Sequence, residues 1–363
     1  MIIYFILFFI FIFSCLIYIN YSFFSIDSVN FSNKYGFFFL FLPFVFLIFL
    51  MGFRYEVGAD YWNYVEIFEK FKAGDSFVLN RFEPGFLAIL IGVDLLGLSS
   101  GFFLFTFYLF TVSLFWGAIR NVKFGSASME SLAVLLFLGI GPVFSATNTV
   151  RQALAVSIVL FFCSFFSRSK ILSTTLSSIF GFLFHYSAPI VMALNFVPRK
   201  TLSFKFWVVV VIITLIFSNL IMDWLFKILA QNSHVLGDFG AYFESDGASR
   251  KSSGLGIRIV FEVALFLFLS FFSRRINPRG VWFFNIAFFG ILLTYIFREY
   301  AIFLRVFAYF SIFKILAIPW FLHVFKGVEK QIFFLFFIVY SLSAFVRSAT
   351  AEQFSPYKLM FFN

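Results

Sequence analysis

The sequence predicts an all-α, polytopic transmembrane helical protein with about 10–12 membrane segments, re-entrant elements among them, and two longer outward-facing loops. Three observations carry that expectation. Of the 363 residues 62% are hydrophobic and only 12% charged. The mean hydropathy is +1.00. The apolar residues also gather in repeated runs of spanning length. Soluble domains carry roughly 25% charged residues, and a helix needs about 17–25 largely apolar residues to cross a bilayer core. Lipid is therefore the expected solvent for this surface, and residues 1–363 are expected to form a single integral membrane domain.

Spanning runs fall near 2–19, 36–52, 101–119, 131–147, 152–167, 206–222, 256–273, 281–297, 302–322 and 331–346. No basic stretch precedes the first and no small-residue cleavage site follows it, so a retained span is expected rather than a signal peptide. The two longer polar segments are 53–83 and about 223–255, and neither is basic overall. The short loops are basic: Arg120 with Lys123, Arg168 with Lys170, Arg199 with Lys200 and Lys205, and Arg274 with Arg275 and Arg279. The positive-inside rule puts these four in the cytoplasm and the longer loops outside. The same distribution accounts for the formal charge of +10 with no nucleic acid as a partner.

That orientation requires two segments to turn back. Residues 84–98 are too few for a span and end in Gly97-Leu98-Ser99-Ser100-Gly101. Residues 171–197 are interrupted by His185-Tyr186-Ser187-Ala188-Pro189, where proline lacks an N–H and disfavours helix at the residue before it. Irregular backbone at membrane depth survives only inside protein or along a wet cavity. Glu83-Pro84-Gly85 and His185-Tyr186-Ser187 are therefore expected to face one outward-opening cavity. In 60–72, Tyr61, Tyr64, Val65, Phe68 and Phe71 recur at helical spacing with Glu66, Glu69 and Lys70 elsewhere around the helix. This predicts an amphipathic helix on the membrane surface.

Ionisable groups within or beside spans are costly and need a partner or a purpose. Here they are Arg54, Asp60, Glu83, Arg151, His185, Arg258, Glu262, Arg298, Glu299 and Arg305. Arg54, Arg151, Arg258, Arg298 and Arg305 fall at outer ends of spans. Guanidinium binds phosphate oxygens in a planar fork and keeps its charge, so a lipid pyrophosphate would suit such a group. Arg258 and Glu262, one turn apart, can instead pair with each other. Arg298 and Arg305, seven apart, would share a face of one helix, where like charges ask for an anion. Asp60 and Glu83 stand beside backbone breaks and could serve as a general base, as could His185. No HExxH, P-loop or GxSxG motif occurs, and Cys15 and Cys163 stand apart in apolar runs. Zinc protease, ATPase and serine hydrolase chemistry are excluded on that pattern, and neither a metal site nor a cofactor is expected.

Five motifs follow one another: Gly52-Phe53-Arg54; Val57-Gly58-Ala59-Asp60-Tyr61 with Tyr64; Phe82-Glu83-Pro84-Gly85-Phe86; Asn148 with Arg151-Gln152-Ala153-Leu154-Ala155; and Phe184-His185-Tyr186-Ser187-Ala188. In order and spacing they resemble the EpsG-like, Wzy-type bacterial polysaccharide polymerases. The resemblance continues through Gly256-Ile257-Arg258, Arg305 with Tyr309-Phe310, and Pro356-Tyr357. It implies an inner-membrane glycosyltransferase that joins oligosaccharide repeat units carried on undecaprenyl diphosphate, at the periplasmic or outer face, into O-antigen, capsule or exopolysaccharide. Arg54, Arg151, Arg258, Arg298 and Arg305 would then bind diphosphate, with Tyr64 and Gln152 in the substrate-binding set. Glu83, Asp60 or His185 would activate the acceptor hydroxyl. Membrane lipid and a chain-length-regulating co-polymerase are the implied partners. The rival readings are a polyprenol-linked-sugar glycosyltransferase and a flippase or transporter of the same lipid-linked unit.

Overall fold

The computed structural model describes residues 2–24, 29–231, 256–298, 301–354 and 356–360. Among them six stretches are long and apolar enough to cross a membrane: Ile2–Asn20, Ser100–Val122, Phe204–Met222, Pro278–Ile296, Phe303–His323 and Gly327–Ala349. Four shorter apolar helices join them, and no strand occurs among the described residues. The protein is an all-α, polytopic membrane protein. Large apolar side chains stay exposed along the outsides of helices, for example Phe9, Phe13, Ile212, Ile216 and Leu220, as lipid requires and water would not tolerate.

Two compact units emerge from the packing. The first contains Met1–Met192 and Ile318–Asn363. Its helices are α1 (Ile2–Phe24), α2 (Val29–Gly52), α3 (Tyr61–Lys72), α4 (Ser76–Arg81), α5 (Pro84–Leu95), α6 (Ser100–Val122), α7 (Ala127–Ile140), α8 (Ser145–Asn148), α9 (Val150–Phe165) and α10 (Lys170–Phe182). After the second unit the chain returns with a 3-10 turn, Ile318–His323, and a long helix, Gly327–Ala349. Aromatic packing joins these elements: Phe44 stacks on Phe137 at 5.3 Å, and Phe144 meets Phe345 at 5.2 Å. The second unit, Ala193–Ala317, holds α11 (Phe204–Gln231), α12 (Gly256–Ser270), α13 (Pro278–Ile296), α14 (Ala301–Ser311) and α15 (Lys314–Ala317). Trp207, fully buried, stacks on Phe288 at 4.2 Å. Asn285 donates to the carbonyls of Pro198 and Lys200, pinning the basic loop.

Two expectations need correction. The run 131–147 stops at Ile140, because Gly141 precedes Pro142 and takes an extended ψ of −177°, as the residue before proline prefers. The run 302–322 keeps spanning length as Phe303–His323, though its backbone is divided into α14, α15 and a 3-10 turn containing Pro319. The apolar face of α3 is buried in protein rather than laid on the membrane. Phe68 is fully buried and meets Phe103 of α6 at 5.6 Å, because the loop 53–83 folds onto α6 and forms its own core with α5. Of the second long loop, about 223–255, α11 claims the part to Gln231 and the remainder lies outside the described residues.

The two segments expected to turn back hold short helices. Helix α5 has 12 residues and α10 has 13, about 18–20 Å at 1.5 Å per residue, against a hydrocarbon core of roughly 30 Å. After α10 the chain reverses at once: a Cβ placed on Gly181 would lie 2.8 Å from the Cβ of Ala188.

Candidate active site

The turn after α2 is organised by Arg54, which is 1% exposed. Its Nε donates to the carbonyl of Val57 at 3.0 Å, one Nη to Met51 at 3.0 Å and the other to Thr147 at 2.9 Å. Glu56 has φ +54° and Gly58 φ +102°, so the chain curls tightly enough to offer Val57 back to the guanidinium. Only glycine fits the second position, since an added Cβ would lie 2.7 Å from Asn148 Oδ1 and 3.2 Å from the Thr147 carbonyl. Burial pushes Arg54 down to about 10, which leaves it protonated at neutral pH. The expected diphosphate ligand is thus a cross-brace between the turn after α2 and the α7–α9 connection. A phosphate could reach it only by displacing three backbone carbonyls.

The C-terminal segment closes over the same turn. Tyr55 N–H donates to Lys358, Gly58 N–H to Gln353 and Met360 N–H to Phe53, at 2.9, 2.7 and 2.9 Å. Arg54 and Leu359 form an isolated antiparallel bridge. Lys358 pairs with Glu56, Tyr357 donates to the Leu50 carbonyl, and Tyr4 of α1 donates to Phe354 at 2.8 Å. Of this strap the sequence offered only the Pro356-Tyr357 pair, because most of its contacts are backbone hydrogen bonds and its charge pair, Lys358 with Glu56, joins residues far apart in the chain.

Arg151 opens α9 and, unlike Arg54, keeps part of its charge accessible. One Nη donates to Glu83 Oε2 at 2.6 Å, with 28% of the arginine side chain and 2% of the glutamate side chain exposed. The guanidinium lies over the rings of Phe82 and Phe86, at 5.0 and 5.7 Å from their centroids. Its Nε–H is buried with no hydrogen-bond partner among the described residues. Tyr64, buried on α3, lies within electrostatic reach of both Arg151 and Asp60. Burial raises its hydroxyl above the ordinary phenol range, with Arg151 pulling the other way, so it stays a proton donor at neutral pH. A cation at a helix N-terminus opposes the helix dipole, and buried Glu83 offsets that opposition. An anion arriving there would gain from both the arginine and the helix end.

The two turn-back elements meet at this point. Gly85 N–H donates to the Leu183 carbonyl at 2.7 Å, and a Cβ on Gly85 would lie 2.6 Å from that oxygen and 2.9 Å from the Phe184 ring. His185 follows two residues later. Its Nδ1 lies 2.6 Å from Ser187 Oγ and accepts the Ser187 backbone N–H at 3.3 Å. A backbone N–H can only donate, so the neutral ring carries its proton on Nε2. Gly85→Ala is expected to cost about 1–3 kcal/mol by overpacking against backbone. Gly92→Ala, on the same helix with nothing within 4 Å, should stabilise by about 0.5–1 kcal/mol. Thermal unfolding of the purified protein in detergent checks the pair.

Asp60 is half-buried, with Asn63 Nδ2 at a long 3.4 Å. Gln152 is buried at 5% exposure, so the arginine beside it carries the accessible contact. The other arginines lie in the second unit. Arg258 pairs with Glu262 at 3.2 Å. Arg298 does not share a helical face with Arg305. It follows the end of α13, donates to the Tyr295 carbonyl at 3.1 Å and stacks over the Tyr295 ring at 4.7 Å, while Arg305 is exposed on α14. Glu299 lies outside the described residues. Lys314, buried against Glu262 at 2.9 Å, was missed because one lysine inside an apolar run offers no spacing signal.

Many apolar helices around a glutamate-held arginine, reached by two half-length elements, define a multi-pass membrane protein with a site suited to an anionic ligand. The chain belongs to the EpsG family, whose sequence model matches residues 37–359, in agreement with the motif resemblance. Membership suggests a polysaccharide-polymerase-like role on lipid-linked substrates in the membrane. No curated protein and no solved structure matches the chain.

Proposed function

We propose that this protein is a membrane glycosyltransferase that polymerises undecaprenyl-diphosphate-linked oligosaccharide repeat units into surface polysaccharide at the outer face of the bacterial inner membrane. The observation that carries the reading is Arg151: it is accessible, oriented by a buried carboxylate at 2.6 Å, and has a buried N–H without a partner. Buried donors are nearly always satisfied, and a diphosphate oxygen is the acceptor that suits a guanidinium at a helix N-terminus.

In the proposed reaction an acceptor hydroxyl oxygen forms the new bond to the anomeric carbon of the growing glycan. The bond from that carbon to the diphosphate oxygen breaks, and undecaprenyl diphosphate leaves with the electron pair. Arg151 stabilises the departing negative charge, where fixed cations contribute most. Tyr64 and the Nε2–H of His185 are further donors toward the same charge. Asp60 takes the hydroxyl proton, since of the three candidate bases it is more exposed than Glu83 and its carboxylate accepts a long bond from Asn63 rather than the 2.6 Å ion pair of Glu83, whereas the Nδ1 of His185 is engaged by Ser187. Glu83 orients Arg151, and Arg54 holds the turn on which Asp60 stands. The final length of the product would be set together with a co-polymerase.

The test is the size distribution of surface polysaccharide after deletion of the gene and complementation by the wild type. A deletion strain that leaves single repeat units on their carrier, with the ladder restored by the wild type, is the expected result. Loss of the single units as well would move the defect upstream, to assembly or flipping of the unit, and overturn the reading.

A further inference from the structure

The C-terminal strap brings to the site a side chain that its own fastening does not use. Residues 353–358 run antiparallel to the turn after α2: Gly58 N–H donates to the Gln353 carbonyl at 2.7 Å and Tyr55 N–H to the Lys358 carbonyl at 2.9 Å. Those backbone bonds, with the Lys358–Glu56 pair, hold the strap without the side chain of Gln353, which is exposed. Its Oε1 accepts from Asn148 Nδ2, at a long 3.2 Å. The amide pair stands between the two groups given the central roles above, since Asn148 is three residues before Arg151 and Gly58 two before Asp60. Asn148 Oδ1 is buried with no hydrogen-bond partner among the described residues, although buried acceptors are nearly always satisfied. A hydroxyl both donates and accepts, so it is the group that suits this pair, meeting one amide as donor and the other as acceptor. At the Tyr55 end of the turn stands Trp62, 53% exposed, with its ring edge-on to Tyr55 at 6.0 Å and to Tyr61 at 5.2 Å. Two uncharged amides and an exposed indole match the hydroxyls and the apolar ring faces of a sugar.

We propose that Asn148, Gln353 and Trp62 form a carbohydrate subsite along this turn: the two amides hydrogen-bond sugar hydroxyls, and Trp62 covers an apolar ring face. Naming these sugars as the acceptor end of a repeat unit, beside Asp60, rests on the function proposed above. Binding a glycan does not, because it requires no bond to be made or broken. A site built to hydrogen-bond a hydroxyl rejects sugars that lack it, so the C-terminal strap takes part in choosing the substrate.

The full chain in phosphatidylcholine nanodiscs is titrated with oligosaccharides released by mild acid from the surface polysaccharide of the source bacterium. Gln353→Ala should weaken their binding by about fivefold, the loss of a neutral hydrogen bond. Trp62→Ala should weaken it by about tenfold, the loss of an aromatic face, and Trp62→Phe should stay within about threefold of the wild type. Gln353→Ala should unfold at the wild-type temperature in detergent, because Gly58 bonds to the backbone of residue 353 and not to its side chain. No binding by the wild type, or unchanged affinity in either alanine variant, would overturn the proposal. A tryptophan that only anchors at the lipid headgroups predicts unchanged affinity in Trp62→Ala. Weakened binding of Gln353→Ala accompanied by a lowered unfolding midpoint would make the side chain a fastening of the strap and overturn it too. The two readings fail separately. Weakened binding in both variants, in a protein whose deletion also removes the single repeat units, keeps the subsite and overturns only its assignment to a polymerase. Unchanged binding, where deletion leaves single units on their carrier, overturns the subsite and keeps the polymerase.

Discussion

Arg151→Ala is expected to erase the polysaccharide ladder and to lower turnover by about a hundredfold or more, because hydrogen bonds to charged groups contribute about 1.5–3 kcal/mol each and the guanidinium offers at least two to a departing diphosphate. Glu83→Gln tests the supporting role. It keeps the shape and one acceptor beside the Arg151 Nη but removes the charge that offsets the helix dipole, so a loss of about tenfold is expected. The measurement is the ladder formed by purified protein in nanodiscs from lipid-linked repeat units, normalised to folded protein. Full-length product from Arg151→Ala at normal levels would remove this arginine from the reaction.

Arg54→Met should act on stability instead. It strips the donors from three buried carbonyls, those of Met51, Val57 and Thr147, at about 1–3 kcal/mol for each group left unsatisfied. A total of about 3–9 kcal/mol is a large part of the 5–15 kcal/mol typical of a folded domain. Arg54→Lys should recover little, since one ammonium cannot span three carbonyls that lie in different directions. Thermal unfolding in detergent decides between two pictures. A brace predicts a strongly lowered midpoint for both variants. A diphosphate ligand predicts wild-type unfolding with activity lost in Arg54→Met and partly kept in Arg54→Lys.

The contrast between Arg54 and Arg151 shows where reading the sequence stopped. Both stand in family-like motifs at the ends of apolar runs, and nothing in their neighbours in the chain separates a brace from a ligand. The difference lies in Thr147, 93 residues away, and Glu83, 68 residues away. The buried pairing of Lys314 with Glu262 was hidden for the same reason, at a separation of 52 residues. Arg298 and Arg305 were misread because helix periodicity was carried through a turn between α13 and α14.

Features that depend on composition and local backbone chemistry were legible in the sequence. Apolar runs of spanning length specify helices in lipid, since every backbone N–H and C=O must be satisfied within its own segment. Pro84 marks where the short helix α5 begins and Gly97, at φ +64°, where the chain turns after it, as a proline at the first helical position and a glycine beyond the last should. The family followed from motif order alone. Folding alone brings the two half-length elements together through the Gly85–Leu183 hydrogen bond, closes the C-terminal strap over the turn after α2, and buries Arg54 while leaving Arg151 partly accessible. Those outcomes rest on hydrogen bonds between backbone groups and on charge pairs distant in the chain. Backbone groups are the same in every residue, and a charge pair records no partner in its own neighbourhood, so neither leaves a local pattern for the sequence to display.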